Sequence, residues 1–131
     1  MAIYKDTSSD WLFFAESDLT AAKSMLRESV YHLACFHSQQ VIEKCLKALL
    51  RHKGQIIPKT HSLLKLLNDA KISGKVEQSD VIFIDRFYIP TRYPETLPGS
   101  LPEGLPSKLD AEKSVEIAEK ILDILKKEVK K

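Results

Sequence analysis

The chain has 131 residues, 44% of them hydrophobic and 29% charged, with a net charge of +2. That is enough apolar material for one compact core and too little chain for two ordinary domains, and the balance is that of a folded cytosolic protein rather than a disordered one. Two cysteines cannot build a disulfide scaffold: Cys35 and Cys45 fall on one expected helix, roughly 15 Å apart along its axis, so both read as buried thiols of a reducing compartment.

The segment Met1 to Asp10 has no basic start followed by an apolar run. No stretch approaches 18 uninterrupted apolar residues. The expectation is a cytoplasmic protein without a membrane span.

From Ser9 onward, Leu12, Ala15, Leu19, Ala22 and Leu26 recur at steps of three and four, which predicts an amphipathic helix with Ser8 or Ser9 as its N-cap. A second helix is expected from about Val30 to Lys53. Its apolar arc of Ala34, Val41, Ile42, Cys45, Ala48 and Leu49 lies opposite a polar stripe of His37, Gln40, Lys44, Lys47 and Arg51. Gly54 supplies a stop and Pro58 stiffens the connector. Thr60 can cap a short third helix, Ser62 to Lys71, that buries Leu63, Leu64, Leu66 and Leu67.

A fourth helix near Lys75 to Tyr88 carries Val81, Ile84 and Tyr88 at helical spacing. Its VIFI run resembles a strand locally, but no second strand candidate exists to pair with it. Prolines then recur at 90, 94, 98, 102 and 106, excluding regular helix from most of a loop spanning about residues 89–108. Loops of that length inside a small domain are commonly either functional or mobile. Asp110 is a good N-cap for the last helix, which continues through Val115, Ala118, Ile121, Leu122, Leu125 and Val129 to a lysine-rich end. The expected fold is all-α: one domain over residues 1–131, an antiparallel up-and-down bundle of four to five helices with a long proline-rich loop before the last.

Four glycines, at 54, 74, 99 and 104, form no nucleotide-binding glycine loop. No HExxH or cysteine pair frames a metal site, so neither a metal nor a cofactor is expected, and no nucleophile motif is recognisable. The chemistry left is cationic and aromatic. Residues 37–75 hold eight Lys or Arg against Glu43 and Asp69, a local +6, together with His37, His52 and His61. His37, Gln40, Lys44 and Lys47 share a helix side, while Tyr88, Arg92 and Tyr93 bracket the start of the loop. Fixed cations suit phosphate, and flat aromatic faces suit a base. Arg92, between Pro90 and Pro94, is restrained on both sides and loses less entropy on gripping an anion; the alternative is that it pairs with Glu43 or another carboxylate and holds the loop to the bundle.

The strings DLTAAK at 18–23, YHLACFHSQQVIEKCLKALL at 31–50, THSLLKLL at 60–67 and YIPTRYP at 88–94 together resemble the HEPN family, the higher-eukaryote and prokaryote nucleotide-binding domain. The resemblance implies a helical bundle, commonly a homodimer, often encoded beside a minimal nucleotidyltransferase partner in a toxin-antitoxin-like pair. Ribonuclease members carry an arginine followed after four to six residues by a histidine near the last two helices. Here Leu97, Pro98 and Gly99 stand at those positions after Arg92, and no histidine follows His61. Arg27 and His32 satisfy the spacing but straddle the junction of the first two helices. The usual acid or base for attack by a 2′-hydroxyl is therefore absent from its place.

The leading expectation is a non-catalytic module binding nucleotide or RNA, with Arg92 on phosphate, Lys44 and Lys47 adding field, Tyr88 or Tyr93 stacking on a base, and His61 positioning the loop. Gln40 and His37 complete the candidate set. The alternatives are a metal-independent endoribonuclease toxin using a displaced histidine, His37 or His61, and an assembly or docking subunit without catalysis.

Overall fold

A computed structural model describes residues 7–88 and 104–130. Five helices fill them: α1 (Ser8–Arg27), α2 (Tyr31–His52), α3 (Leu63–Ala70), α4 (Gln78–Asp85) and α5 (Lys108–Val129). No strand occurs among the described residues, so the VIFI run is helical, with Val81 and Ile84 buried and Ile82 exposed. Most of the expected proline-rich loop, including its Leu97–Pro98 and Leu101–Pro102 pairs, lies outside the described residues.

The helix ends differ from expectation in instructive ways. Thr7, rather than Ser8 or Ser9, caps α1: its hydroxyl accepts from the Asp10 amide at 3.1 Å while the Asp10 carboxylate accepts from the Thr7 amide at 2.9 Å. The same reciprocal box opens α5, where Ser107 is the cap and Asp110 is the residue answering it three positions later. Asp110 is thus not the cap itself. An acidic residue three places into a helix satisfies the cap's own amide as well as the dipole, which a search for the first acidic residue misses. In α3 the cap is Ser62, and Thr60 instead accepts from the Ser62 amide at 3.1 Å. Helix α4 is shorter than expected at both ends, and Tyr88 lies beyond it.

Left-handed residues set the exits of both long helices of the α1–α2 hairpin. After α1, Ser29 has φ 63°, the Val30 amide reaches back to Met25 O at 2.8 Å, and the Ser29 amide reaches Leu26 O at 3.1 Å. After α2, Gly54 has φ 74° with the equivalent bonds Gln55 N to Leu50 O and Gly54 N to Arg51 O. This pair of bonds satisfies carbonyls that a helix end would otherwise leave open.

Helix α2 is the centre of the molecule, packing on α1, α5, α3 and α4. Its apolar arc therefore broadens to almost the whole circumference: Val41, Ile42, Cys45, Leu46, Leu49 and Leu50 join Leu63, Leu66 and Leu67 of α3 and Ile121, Leu122 and Leu125 of α5 in one core. Each such side chain contributes about 1.5–3 kcal/mol on full burial. A second, smaller cluster gathers Ala22, Ala34, Cys35, Phe87, Ala111 and Val115. Both cysteines are buried free thiols, as expected. No helix among the described residues is long and apolar enough to cross a membrane.

Candidate functional site

The polar stripe of α2 does not act as one cationic face. It divides between two carboxylates. On the α1 side, Asp18 takes His37 Nδ1 at 2.9 Å and Lys44 Nζ at 2.5 Å. Burial pulls the Asp18 carboxyl upward, but the hydrogen bonds and charges of His37 and Lys44 outweigh it and hold the group below its ordinary value. On the other side, Lys47 folds onto Glu43 at 2.9 Å, with its ammonium 5.5 Å from the centre of the Trp11 ring. The expected field from Lys44 and Lys47 is accordingly balanced within a few ångströms, because desolvated ammonium groups take the nearest carboxylate.

Glu43 is the hub. Its side chain is 5% exposed, and besides Lys47 it accepts from Gln39 Nε2 at 3.3 Å and meets His61 Nδ1 at 3.2 and 3.1 Å. Gln39 also donates to His61 O at 3.3 Å, and its own carbonyl oxygen accepts from Gln40 at 2.6 Å. As the carboxylate partner of Lys47, Glu43 can only accept, so His61 Nδ1 carries the hydrogen and Nε2 lies on the opposite side of the ring. The His61 side chain remains 53% exposed, against 29% for His37. Its ring stacks on Tyr88, with centroids 4.4 Å apart and planes 16° from parallel.

The stack has a structural cause. Asp85, at the end of α4, accepts from the Leu63 amide at 3.2 Å and from the Leu64 amide, so α4 is clamped onto the start of α3. His61 lies just before α3 and Tyr88 just after α4, and the clamp brings them together. Burial raises the Asp85 carboxyl, the two amides pull it down, and the charge of Glu43 raises it further.

The structure thus joins His61, Tyr88, Lys47 and Gln40 through Glu43 and Gln39, and leaves His37 and Lys44 in a separate group on Asp18. Arg92 and Tyr93 lie outside the described residues. Glu43 was legible as more than an isolated acid: Gln39, Glu43 and Lys47 follow one another at steps of four, a polar ladder along one line of a helix. Asp18, Trp11 and Asp85 gave no comparable signal. No cluster of metal-ligating side chains exists among the described residues.

Comparison with known proteins agrees with this architecture. The HEPN domain model matches residues 8–129. A Methanocaldococcus jannaschii protein named "Putative toxin MJ1304" is 31% identical over 124 residues, covering 86% of this chain and 81% of its own. Among solved structures, ST0689, an archaeal HEPN homologue, superposes with a TM-score of 0.75 at 32% identity, covering 95% of this chain and 99% of that one. TT1696 from Thermus thermophilus gives 0.76 at 32% identity with the same coverage. An HEPN domain protein of Thermotoga maritima gives 0.67 at 28% identity over 90% of this chain and 95% of that one. A match spanning every described helix, with full-length structural relatives, establishes that the chain belongs to the HEPN domain family.

Proposed function

We propose that this chain is a HEPN module that binds the phosphate-bearing part of a nucleotide or RNA beside His61 and Tyr88, and that it works as a homodimer with a nucleotidyltransferase partner in a toxin-antitoxin-like pair. The toxin name of the M. jannaschii relative supports the last element. The observation that carries the reading is the exposed imidazole of His61, aimed by a buried carboxylate and flattened against Tyr88. A ring held on two sides has little orientational freedom left to lose when Nε2 meets a ligand. Arg92 supplies the phosphate grip in this reading, with Tyr93 beside it, while Lys44 and Lys47 fix the carboxylates that orient the histidines.

Titration of the protein with ATP and with short single-stranded RNA tests the reading. Arg92→Ala should weaken binding by about 1.5–3 kcal/mol, the worth of a charge-assisted contact, and His61→Ala by about 0.5–1.5 kcal/mol, the worth of an ordinary hydrogen bond. Unchanged affinity in both variants would sink it.

A second reading follows from the same dyad. A histidine oriented through Nδ1 by a carboxylate is the arrangement of a general base, so His61 would serve a metal-independent endoribonuclease in place of the histidine missing after Arg92. Expression should then arrest growth and degrade RNA, with His61→Ala relieving both and His37→Ala, on its separate carboxylate, relieving neither. Pure protein that binds RNA without cutting it decides for the binding module.

A further inference from the structure

A second cationic site is built around Arg86, two residues before Tyr88 in the chain, on residues that the proposed function does not use. The Arg86 guanidinium sits 5.0 Å from the centre of the Phe83 ring and 5.3 Å from that of Phe87, and the two rings meet edge to face at 5.5 Å. Lys113 of α5 places its ammonium 4.3 Å from the same Phe83 ring. The two cations therefore lie within about 9 Å of each other.

Their electrostatic situation differs from that of several basic residues elsewhere on the bundle. Lys23, Lys44, Lys47, Lys75 and Lys126 each hold a carboxylate. Among the described residues, neither Arg86 nor Lys113 has an ion-pair partner. The nearby acids have other work: the Asp110 carboxylate takes the Ser107 amide, and Asp85 takes the amides that open α3. Glu112 and Glu116 flank Lys113 on α5 without pairing to it.

Arg86 is also fixed in orientation. Its Nε donates to Phe83 O at 3.3 Å, and its plane rests on two aromatic side chains, one of them, Phe87, fully buried. Arg86 is exposed, and its terminal amino groups, an open fork, make no hydrogen bond to a described residue. Such a fork matches the oxygens of a phosphate, and a second, movable ammonium nearby suits an adjacent anionic centre better than a single carboxylate would.

We propose that Arg86 and Lys113, held on Phe83, form a phosphate-binding subsite that seats backbone or polyphosphate groups of the same ligand whose other end lies at His61 and Tyr88. The inference rests on the proposed function and extends it by naming the ligand's anionic track. Arg86 precedes Tyr88 by two residues, at most about 7 Å along the backbone, a span that a ligand with several phosphates is long enough to cover. RNA and nucleoside triphosphate share this chemistry.

Affinities of the intact protein for a fluorescent oligouridylate and for ATP, measured over a salt series, separate the sources. Arg86→Gln and Lys113→Gln should each weaken the ligand about tenfold, and for RNA each should lower the slope of log affinity against log salt by about 0.7, the signature of one lost phosphate contact on a single strand. Loss confined to the oligonucleotide identifies a strand track; equal loss with ATP identifies a polyphosphate seat. Thermal unfolding checks each variant, and Lys113→Gln, on the solvent side of α5, serves if Arg86→Gln fails to fold. Wild-type affinity and slope in both variants, with His61→Ala still impaired, overturn the subsite and leave the proposed function standing. No binding by wild-type protein overturns both, and polyglutamate competing as well as RNA replaces phosphate with an acidic protein surface.

Discussion

Glu43 and Lys47, one turn apart on α2, form an ion pair at 2.9 Å whose side chains are 5% and 10% exposed. Removing one member of such a pair strands the other in a poorly solvated place. Glu43→Gln should lower unfolding free energy by about 3 kcal/mol, and Glu43→Gln combined with Lys47→Met should recover most of it. Urea unfolding of the two variants checks this; equal stability of single and double variants would contradict it.

Asp18 gives a pH signature. Its carboxyl titrates below its ordinary value in the folded state, so the folded protein binds fewer protons there than the unfolded chain. The stabilisation is fully present above the unfolded value and is lost as pH falls through the lower folded one. Wild type should therefore exceed Asp18→Asn in stability at neutral pH, with the gap closing as acid is added below about pH 4. Equilibrium unfolding at several pH values measures the gap.

Asp85 has the opposite sign. Its folded value is raised, so the charged form is the less favourable one and stability falls as pH rises from the unfolded value through the folded value. Asp85→Asn keeps an oxygen for the Leu63 and Leu64 amides without the buried charge. It should be nearly neutral at pH 7, whereas Asp85→Ala should cost about 0.5–2 kcal/mol, as loss of a helix cap does. Loosening of the clamp in the alanine variant should also release Tyr88 from His61, visible as a change in the His61 ring resonances.

Ser29 occupies a left-handed position that suits glycine, and its φ of 63° carries a Cβ penalty. Ser29→Gly should raise stability by a few tenths to about 1 kcal/mol. The equivalent position after α2 already has glycine, and Gly54→Ala should cost a comparable amount. Thermal melts of the pair make the comparison.

Cys35 is pushed up to about 11 by burial, partly offset by its contact with the Ser114 hydroxyl, and burial raises Cys45 further. Both thiols should resist an aromatic disulfide reagent in native buffer and react fully in denaturant. Rapid labelling of the folded protein would show instead that the α2–α5 contact opens readily.

The amino-acid sequence alone determined the helices, because a period near 3.6 in Leu12 to Leu26 and in Val115 to Val129 admits no other way to bury those side chains together. It also marked Gly54 as a stop and both cysteines as buried, and the strings around His37 and His61 carried the family. Tertiary structure decided what the charged residues do. Helical spacing places Lys44 and Lys47 on one side of α2 and sets Glu43 one turn before Lys47, but it says nothing of Asp18 on α1 as the partner of Lys44 or of His61 as a second partner of Glu43, because contacts between elements are fixed by distance and desolvation rather than by position along a chain. Nor does spacing connect Asp85 to the first amides of α3. That contact across twenty-two residues sets Tyr88 on His61 and gives the candidate site its shape.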